Sequence, residues 1–352
     1  MKKILCTLLA AAMLALALGG CGVTAGQSAP AASTPAASTP AADGGAFDDV
    51  KAEVVLTLSH QMAAEHSINQ TALEFARLVK EKSEGTMEID VYPSATLGTE
   101  TENLQALTNG TLDCAIIAAE FYANYVDEAG ILCLPFMYDS YDDAYNKLHS
   151  AAGETIAQMI LDKTKVRVLD YYVLAFRQVF TVDREIKTVD DLKGLIIRIP
   201  DSNTYSTTFT QLGAAPTPVA WGETYTALDT GVVAAVENTP ESIMSASMQE
   251  VCKYVNETNH VLGPTTISIS EQVFSKLTAE QQQILLDAAK EACVYGRDLT
   301  AESSDANFAA LSDAGLTVVK TDVESMKGSI DYSAYACAQS ETGKEILSQL
   351  GK

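Results

Sequence analysis

The segment G-L-I-I-R-I-P (residues 194–200) places Arg198 inside an otherwise apolar run. Aliphatic residues in a short run of this kind predict a buried strand, and Pro200 ends it because proline cannot donate a hydrogen bond to a sheet. A guanidinium group keeps its charge when it is buried, so it needs an anion nearby. Arg198 therefore predicts an anion site at the end of this strand.

Arg177 occupies a similar position in the segment V-L-A-F-R-Q-V-F (173–180). The chain has only six arginines, and these two lie where water should be scarce. We expect both to converge on a carboxylate that is not part of the protein. The alternative for Arg198 is an internal salt bridge with an acidic side chain, and residue chemistry alone does not separate the two interpretations. The alternative for Arg177 is support of Arg198 without direct ligand contact.

The residues that follow Arg198 continue an alternation of helices and strands. A short helix is predicted from Trp221 to a glycine cap at Gly231, and the apolar residues 232–236 predict another strand. Asn238 then lies on the loop at the end of that strand. Its alternative role is that of a turn former before residues 239–240, Thr-Pro.

The first part of the folded chain predicts the same kind of architecture. Strands are predicted at residues 54–58, 87–92 and 112–119, with helices at 67–83 and from a capping box that begins at Thr99. Strands alternating with helices are typical of an α/β fold in which helices cover a parallel sheet. The chain is long enough for two domains of ordinary size.

Ligands of such folds bind beyond the carboxyl ends of the strands. The loops that follow the three predicted strands should therefore share one rim. His60, Gln61, Glu100 and Phe121 lie in or next to these loops. We expect these side chains to lie at the rim of a binding site.

The formal net charge of the chain is −23. Nucleic acids and anionic membrane surfaces select basic faces, so neither is an expected partner. An anionic ligand is also disfavoured at long range. Any anion site must therefore be local and desolvated, with a few well-placed donors.

The N-terminus has the composition of a secretory leader. Lys2 and Lys3 precede the apolar residues 4–18, a run of signal length that is short for a membrane span. The ending L-G-G-C (18–21) resembles a bacterial lipobox, whose cysteine, here Cys21, becomes the acylated first residue of the mature protein. The alternative is an ordinary cleaved leader with a chance cysteine.

Residues 22–46 are mostly Ala, Ser, Thr, Pro and Gly, with A-A-S-T-P repeated at 31–35 and 36–40. This composition cannot bury a core and predicts a disordered spacer. We therefore predict a signal peptide at 1–20 and a lipid-anchored linker at 21–51. The protein would be extracytoplasmic and held at the membrane by its acyl chains, on the cell surface or in a periplasm.

Cysteine and histidine patterns predict neither a disulfide framework nor a metal site. Five of the seven cysteines remain once Cys6 and Cys21 are set aside, and none has C-x-x-C spacing, although one bridge stays possible. His60 and His66, with Glu65 beside them, are six residues apart, which does not place two imidazoles on one helix face. Sequence motifs of nucleophilic hydrolases, zinc proteases and nucleotide-binding loops are missing.

Several blocks together resemble the solute-binding proteins of TRAP transporters, the DctP-type family. They are D-L-K-G-L-I-I-R-I-P (191–200), G-A-A-P-T-P-V-A-W-G-E-T-Y-T-A-L (213–228), E-N-T-P (237–240), L-G-T-E-T-E (97–102) and T-N-H-V (258–261). Their order and spacing make the resemblance specific. It covers nearly all of the predicted folded part.

The resemblance implies an α/β, two-lobe fold of the periplasmic-binding-protein type, with mixed or parallel sheets, a cleft between the lobes and a long helix that crosses both. It implies lobe I at 52–174 plus 264–303 and lobe II at 175–263 plus 304–352. A capping box at residues 278–281 independently predicts the long helix. A small organic acid would be captured in the cleft and delivered to TRAP membrane permease subunits.

Residue roles also follow from the resemblance. An arginine placed like Arg198 forms a salt bridge with the ligand carboxylate, one placed like Arg177 supports it, and an asparagine placed like Asn238 completes the anchor. An aromatic residue placed like Trp221 lines the pocket, and relatives use a polar residue placed like Gln61. The alternative for the tryptophan is a purely structural place in the core.

Glu100 and Glu241 have two interpretations. Acidic side chains are most often solvated surface charges. If these two face the cleft, they would accept hydrogen bonds from ligand hydroxyls, which would indicate a sugar acid. Dicarboxylates, keto acids and aromatic acids also satisfy one arginine fork, so the identity of the acid stays open.

The sequence thus predicts a monomeric binding protein that is not an enzyme and uses no cofactor. One rival is a secreted enzyme that acts on a small organic acid, with Glu100 or Glu241 as general base. Another is a ligand sensor that presents its closed form to a membrane kinase. Turnover of candidate acids would identify the secreted enzyme. A neighbouring gene for a membrane kinase would identify the ligand sensor.

Overall fold

The computed structural model of this chain describes Phe47 and residues 50–352. The predicted signal peptide, the predicted lipidation site Cys21 and most of the predicted linker lie outside these residues. No helix within the described part is both long enough and apolar enough to cross a bilayer.

Nine strands of the described chain form one mixed sheet with the order β2-β1-β3-β8-β4-β7-β5-β6, and β9 pairs with β8. The strands are β1 (Val54–Ser59), β2 (Met87–Tyr92), β3 (Cys114–Ala118), β4 (Val166–Thr181), β5 (Ile196–Ile199), β6 (Ala215–Pro218), β7 (Ala235–Asn238), β8 (Tyr254–Ser270) and β9 (Thr317–Lys320).

The two long strands β4 and β8 pair antiparallel along most of their length. On one side of this pair, β1 lies between β2 and β3 in parallel register, and β3 pairs antiparallel with β8. On the other side, β7 pairs antiparallel with β4, while β5 is parallel to both β7 and β6. The predicted parallel strands are therefore present as two groups, and the antiparallel pair that joins them makes the sheet mixed.

Helices connect and flank these strands. They are α1 (Ser67–Lys82), α2 (Glu100–Asn109), α3 (Tyr141–Leu148), α4 (Ala151–Thr164), α5 (Asn203–Gln211), α6 (Thr224–Asp229), α7 (Pro240–Ser245), α8 (Glu271–Phe274), α9 (Ala279–Asp313), α10 (Val323–Lys327) and α11 (Glu341–Gln349). A 3₁₀ helix at Ala119–Asn124 follows β3, and another at Trp221–Glu223 precedes α6.

Local signals in the sequence locate several element ends. Thr99 and Glu102 form both halves of the predicted capping box, and α2 ends at Gly110, whose φ of 72° lies in the left-handed region that glycine tolerates. The strand predicted at 232–236 begins later than expected, at the start of β7, because the Val233 N–H bonds back to the last turn of α6. Asn238 is consequently the final residue of β7 rather than a loop residue.

The predicted long helix is α9, which has 35 residues and begins at the capping box of Thr278 and Gln281. It packs against β4, against α1, which connects two strands of the first group, and against α7, which follows the last strand of the second group. Gly296 allows this close approach, since a Cβ atom there would lie 2.5 Å from Thr71 Oγ1 and 3.1 Å from Tyr172 Cδ2.

Packing of β5 determines where its arginine points. Ile197 and Ile199 are fully buried in the apolar core. Successive side chains of a strand point to opposite faces, so Arg198 lies on the face away from these two isoleucines. Pro200 follows directly, as the sequence predicts for the end of this strand.

The cysteines of the described part are buried free thiols, and the single disulfide that the sequence left possible is not formed there. Burial raises the pKa of each of these thiols, so they remain protonated and act as small apolar side chains. They are Cys114, Cys133, Cys252, Cys293 and Cys337.

Candidate functional site

A cavity of about 40 Å³ lies at the ends of β1, β3, β5 and β7. A neighbouring concavity of about 320 Å³ shares six of its lining residues. Seven of the eight predicted ligand-contacting side chains line the cavity, and Glu241 does not. The seven are Gln61, Glu100, Phe121, Arg177, Arg198, Trp221 and Asn238.

Arg198 is 3% exposed, yet it lacks an acidic partner. No carboxylate oxygen of the described residues lies within 4.0 Å of its guanidinium group. Its Nε donates to the Val219 carbonyl at 2.9 Å, and its Cζ lies 5.4 Å from the centroid of the Trp221 ring. Burial lowers the pKa of Arg198 to about 10, so the group is still charged at neutral pH.

Arg177, in contrast, is neutralised inside the protein. Its Nε and Nη2 donate to the two carboxylate oxygens of Glu237 at 2.5 and 2.7 Å, and both side chains are buried. Burial opposes ionisation of Glu237, but the Arg177 charge outweighs it and the pKa of Glu237 falls to about 2. We expected both arginines to bind an external anion, but Arg177 already has an internal carboxylate partner. The pairing of β4 with β7 brings the Glu237 carboxylate to it.

His260 extends this buried pair. Its Nε2 lies 3.3 Å from Glu237 Oε2 and its Nδ1 lies 2.8 Å from Thr258 Oγ1. Burial lowers the pKa of His260, which keeps the ring neutral at neutral pH. A neutral ring that donates from Nε2 to the carboxylate can accept a hydrogen bond from the threonine hydroxyl at Nδ1. The T-N-H segment thus holds Glu237 in place.

Asn238 lines the cavity beside this pair. Its Oδ1 accepts a hydrogen bond from the Thr239 N–H at 2.8 Å. Its Nδ2 has no partner among the described residues, so a donor remains for a group in the cavity. The side chain is only 7% exposed, so this donor is largely shielded from water, as expected for a local, desolvated anion site.

Glu100 begins α2 and is 6% exposed. Its Oε1 accepts from the Ala118 N–H at 2.7 Å, and its Oε2 accepts from Gln61 Nε2. Burial, reinforced by the nearby carboxyl of Glu120, raises the pKa of Glu100 to about 8. At neutral pH the protonated form of this side chain can therefore donate a hydrogen bond as well as accept one.

Comparison with known proteins identifies the family. Residues 58–332 match the family described as DctP, bacterial extracellular solute-binding protein, family 7. The chain belongs to this family.

Similar proteins and solved structures support this family assignment. A solute-binding protein of Roseobacter denitrificans is 31% identical over 270 residues, which is 77% of this chain and 82% of that protein. The crystal structure of a TRAP periplasmic solute-binding protein from the same organism, with bound L-galactonate, superposes with a TM-score of 0.80 at 29% identity, covering 86% of this chain and 99% of that one. A TRAP protein from Chromohalobacter salexigens with bound D-glucuronate gives a TM-score of 0.80 at 26% identity, covering 84% and 98%.

Glu241 of this DctP protein has a structural position. Its Oε1 and Oε2 accept from the backbone N–H and the hydroxyl of Ser67 at 2.8 and 2.6 Å. It also lies 3.7 Å from His66 Nε2, at the N-terminus of α1. The carboxylate therefore ties α7 to the first turn of α1, where a negative charge is favourable.

The histidines near the cavity form no metal centre. His60 Nε2 lies 3.0 Å from Asn69 Oδ1, and burial lowers the pKa of this histidine to about 4. His66 caps α1 by accepting the Ile68 N–H at Nδ1. In residues 47 and 50–352, no group of three or more His, Cys, Asp and Glu side chains is arranged to hold a metal ion.

Three residues of the site were missed by sequence reasoning: Glu120, Glu237 and His260. Glu237 is part of the E-N-T-P block, so its position beside Asn238 was a usable signal. Glu120 directly precedes Phe121 on the predicted rim. Sequence reasoning could not assign a partner to Glu237 or Glu120, because each lies about sixty residues from Arg177 in the chain and contacts it only in the folded protein.

Proposed function

We propose that this solute-binding protein captures a sugar acid in the cavity at Arg198 and delivers it to TRAP permease subunits. The observation that carries the proposal is the buried Arg198 guanidinium, which has no carboxylate partner among the described residues. A ligand carboxylate would supply the missing charge, and the planar guanidinium fork fits it with two parallel hydrogen bonds. The sugar acids bound by the Roseobacter and Chromohalobacter proteins support this ligand class.

The surrounding groups suit one carboxylate and several hydroxyls. Nδ2 of Asn238 would donate a hydrogen bond to the ligand carboxylate. Arg177, held by Glu237, would stabilise the ligand carboxylate through its positive charge. Gln61 and Glu100 would exchange hydrogen bonds with hydroxyl groups of the ligand. The aromatic side chains of Phe121 and Trp221 would exclude water and strengthen the ion pair.

Charge counting favours a monocarboxylate over a dicarboxylate. Two arginines line the cavity in the described chain, and only Arg198 lacks a carboxylate partner. His60, the remaining basic side chain there, is neutral at neutral pH because burial lowers its pKa to about 4. A second ligand carboxylate would therefore be buried without a counter-ion, which is costly.

Delivery to the permease requires that the bound ligand change the conformation of the protein. We infer lobe I at 52–174 plus 264–303 and lobe II at 175–263 plus 304–352, with α9 spanning both. A ligand that contacts both lobes would favour the closed state, which gives the permease a signal of occupancy. We further infer an extracytoplasmic monomer anchored through lipid on Cys21, without enzymatic activity or cofactor.

Mass spectrometry of ligand released from gently purified protein tests the proposed class. Titration calorimetry with L-galactonate, D-galacturonate, D-glucuronate and succinate then ranks the candidates. We expect a sugar acid to bind and succinate to bind more weakly, with each compound recovered unchanged by NMR. Tight succinate binding would contradict the monocarboxylate argument, and chemical conversion of any compound would contradict a pure binding function.

A further inference from the structure

Two buried carboxyl groups line the same cavity as Arg198. Glu100 has no ion-pair partner among the described residues, and Glu120 shares Arg177 with Glu237. Glu100 is 6% exposed and Glu120 is 2% exposed. Arg177 Nη1 lies 3.6 Å from Glu120 Oε1, but that arginine is already paired with Glu237. The other oxygen of Glu120, Oε2, is buried without a hydrogen-bond partner among the described residues.

Glu100 contacts the chain segment that carries Glu120. Glu100 Oε1 accepts the backbone N–H of Ala118, two residues before Glu120. Both carboxyl groups interact electrostatically with Arg177 on β4 and Arg198 on β5, and Glu120 also interacts with Glu237 on β7. The other titratable groups near the pair are Tyr122, Cys133, Tyr172 and Tyr205.

The charges do not balance if both carboxyl groups are ionised. Glu100, Glu120 and Glu237 would then oppose only Arg177 and Arg198 in a buried space. A carboxylate ligand at Arg198 would add one more negative charge. Excess buried charge of one sign is relieved most readily by protonation of a carboxyl group.

We propose that the Glu100–Glu120 pair carries a proton at neutral pH, and that binding of a carboxylate solute at Arg198 holds this proton more tightly, so that solute affinity falls as the pH rises. The first half concerns the protein without solute. The second half rests on the function proposed above.

Both environments favour the protonated acid. Burial and the neighbouring Glu120 raise the pKa of Glu100 to about 8. Burial also raises the pKa of Glu120, despite the opposing effect of Arg177. A ligand carboxylate raises such pKa values further because like charges repel. Affinity is then highest below the pKa of the free protein, and it falls by up to about tenfold per pH unit between the free and bound values.

Infrared difference spectroscopy of the protein without solute tests the first half. At about pH 7 the wild-type protein should show the C=O stretch of a protonated carboxylic acid, and the band should be lost at higher pH. The double variant Glu100→Gln/Glu120→Gln should lack the band, while the control Glu302→Gln, which removes an exposed carboxylate on α9, should keep it. A wild-type protein without the band overturns the proposal, whether or not the double variant folds and whether or not any sugar acid binds.

Titration calorimetry with D-glucuronate and L-galactonate, in buffers of different ionisation enthalpy, tests the second half. We expect uptake of up to about one proton near pH 8 and a Kd that rises above that pH. The double variant also changes the proposed ligand contact Glu100, so its affinity should be lower, but the binding that remains should take up no proton and have a pH-independent Kd. Binding without proton uptake in the wild type, or an unchanged pH slope in the double variant, would overturn this half. If no sugar acid binds, the proposed function is contradicted, and the infrared result still decides whether the pair carries a proton.

Discussion

Arg177 and Glu237 form a buried bidentate ion pair, with Nε 2.5 Å from Oε2 and Nη2 2.7 Å from Oε1. The pair removes one of the two buried arginines from competition for a ligand. Arg198, on the neighbouring part of the sheet, keeps its charge without a carboxylate partner in the described chain. This asymmetry distinguishes an arginine that is neutralised within the protein from one whose charge is unpaired in the described chain.

Arg177→Met should destabilise the protein strongly. Glu237 would be left as an uncompensated buried charge, and removal of one partner of such a pair costs about 3–5 kcal/mol. Arg177→Met/Glu237→Leu should recover more than half of that loss, since a buried pair can be replaced by apolar side chains. Urea denaturation measures both free energies of unfolding.

The pair of Arg167 and Glu271 is a matched control for this prediction. It has the same bidentate geometry, 2.7 and 2.8 Å, but both side chains are about 30% exposed. Arg167→Met should therefore cost no more than about 1 kcal/mol. Equal losses for the two arginines would contradict the buried-charge argument.

Arg198→Lys should weaken solute binding strongly and leave the free energy of unfolding almost unchanged. Lysine keeps the positive charge but loses the planar fork, and no internal carboxylate is left unpaired by the change. Titration calorimetry with the sugar acid that binds wild-type protein best gives the affinity, and urea denaturation gives the stability. Unchanged affinity would contradict the bidentate contact, and a large loss of stability would show that Arg198 maintains the fold.

Glu241→Gln should affect stability rather than binding. The carboxylate accepts two hydrogen bonds from Ser67 at the start of α1 and does not line the cavity. Hydrogen bonds to a charged group contribute about 1.5–3 kcal/mol, and partial exposure should reduce the loss to about 1 kcal/mol. A solute affinity within twofold of wild type is expected, and a larger change would place Glu241 in the binding site.

His149 should stabilise the protein most at acidic pH. Its Nδ1 lies 2.8 Å from the Tyr145 carbonyl and its Nε2 lies 2.8 Å from Asp170 Oδ1, so both ring nitrogens face acceptors. The hydrogen bond to Asp170 is the main reason why the pKa of His149 is raised above 6.5. The stabilisation is therefore fully present below about pH 6.5, the value of an unperturbed histidine, and is lost as the pH rises through the folded-state pKa.

Urea denaturation of wild type and His149→Gln at acidic and alkaline pH tests this sign. The variant should lose more stability at about pH 5 than at about pH 9. His66→Gln serves as a contrast, because burial lowers the pKa of that histidine and the neutral ring caps α1. A loss at position 149 that grows with pH would contradict the doubly donating imidazolium.

Local sequence patterns were sufficient to predict the alternation of strands and helices, the caps of α2 and α9 and the placement of Arg198 in a buried strand. These features depend on residues close together in the chain, such as Thr99 with Glu102 and Thr278 with Gln281. The sequence also carried the blocks that resemble the family to which the chain belongs.

Which buried charges are neutralised depends on contacts between residues that are far apart in the chain. Glu237 reaches Arg177 because β7 pairs with β4, and Glu241 reaches Ser67 because α7 meets α1, across sequence separations of 60 and 174 residues. An acidic residue has the same local sequence signal whether it faces solvent, a cavity or a buried arginine. Strand register and helix packing select among these environments, and the large cost of an unpaired buried charge makes that selection decisive.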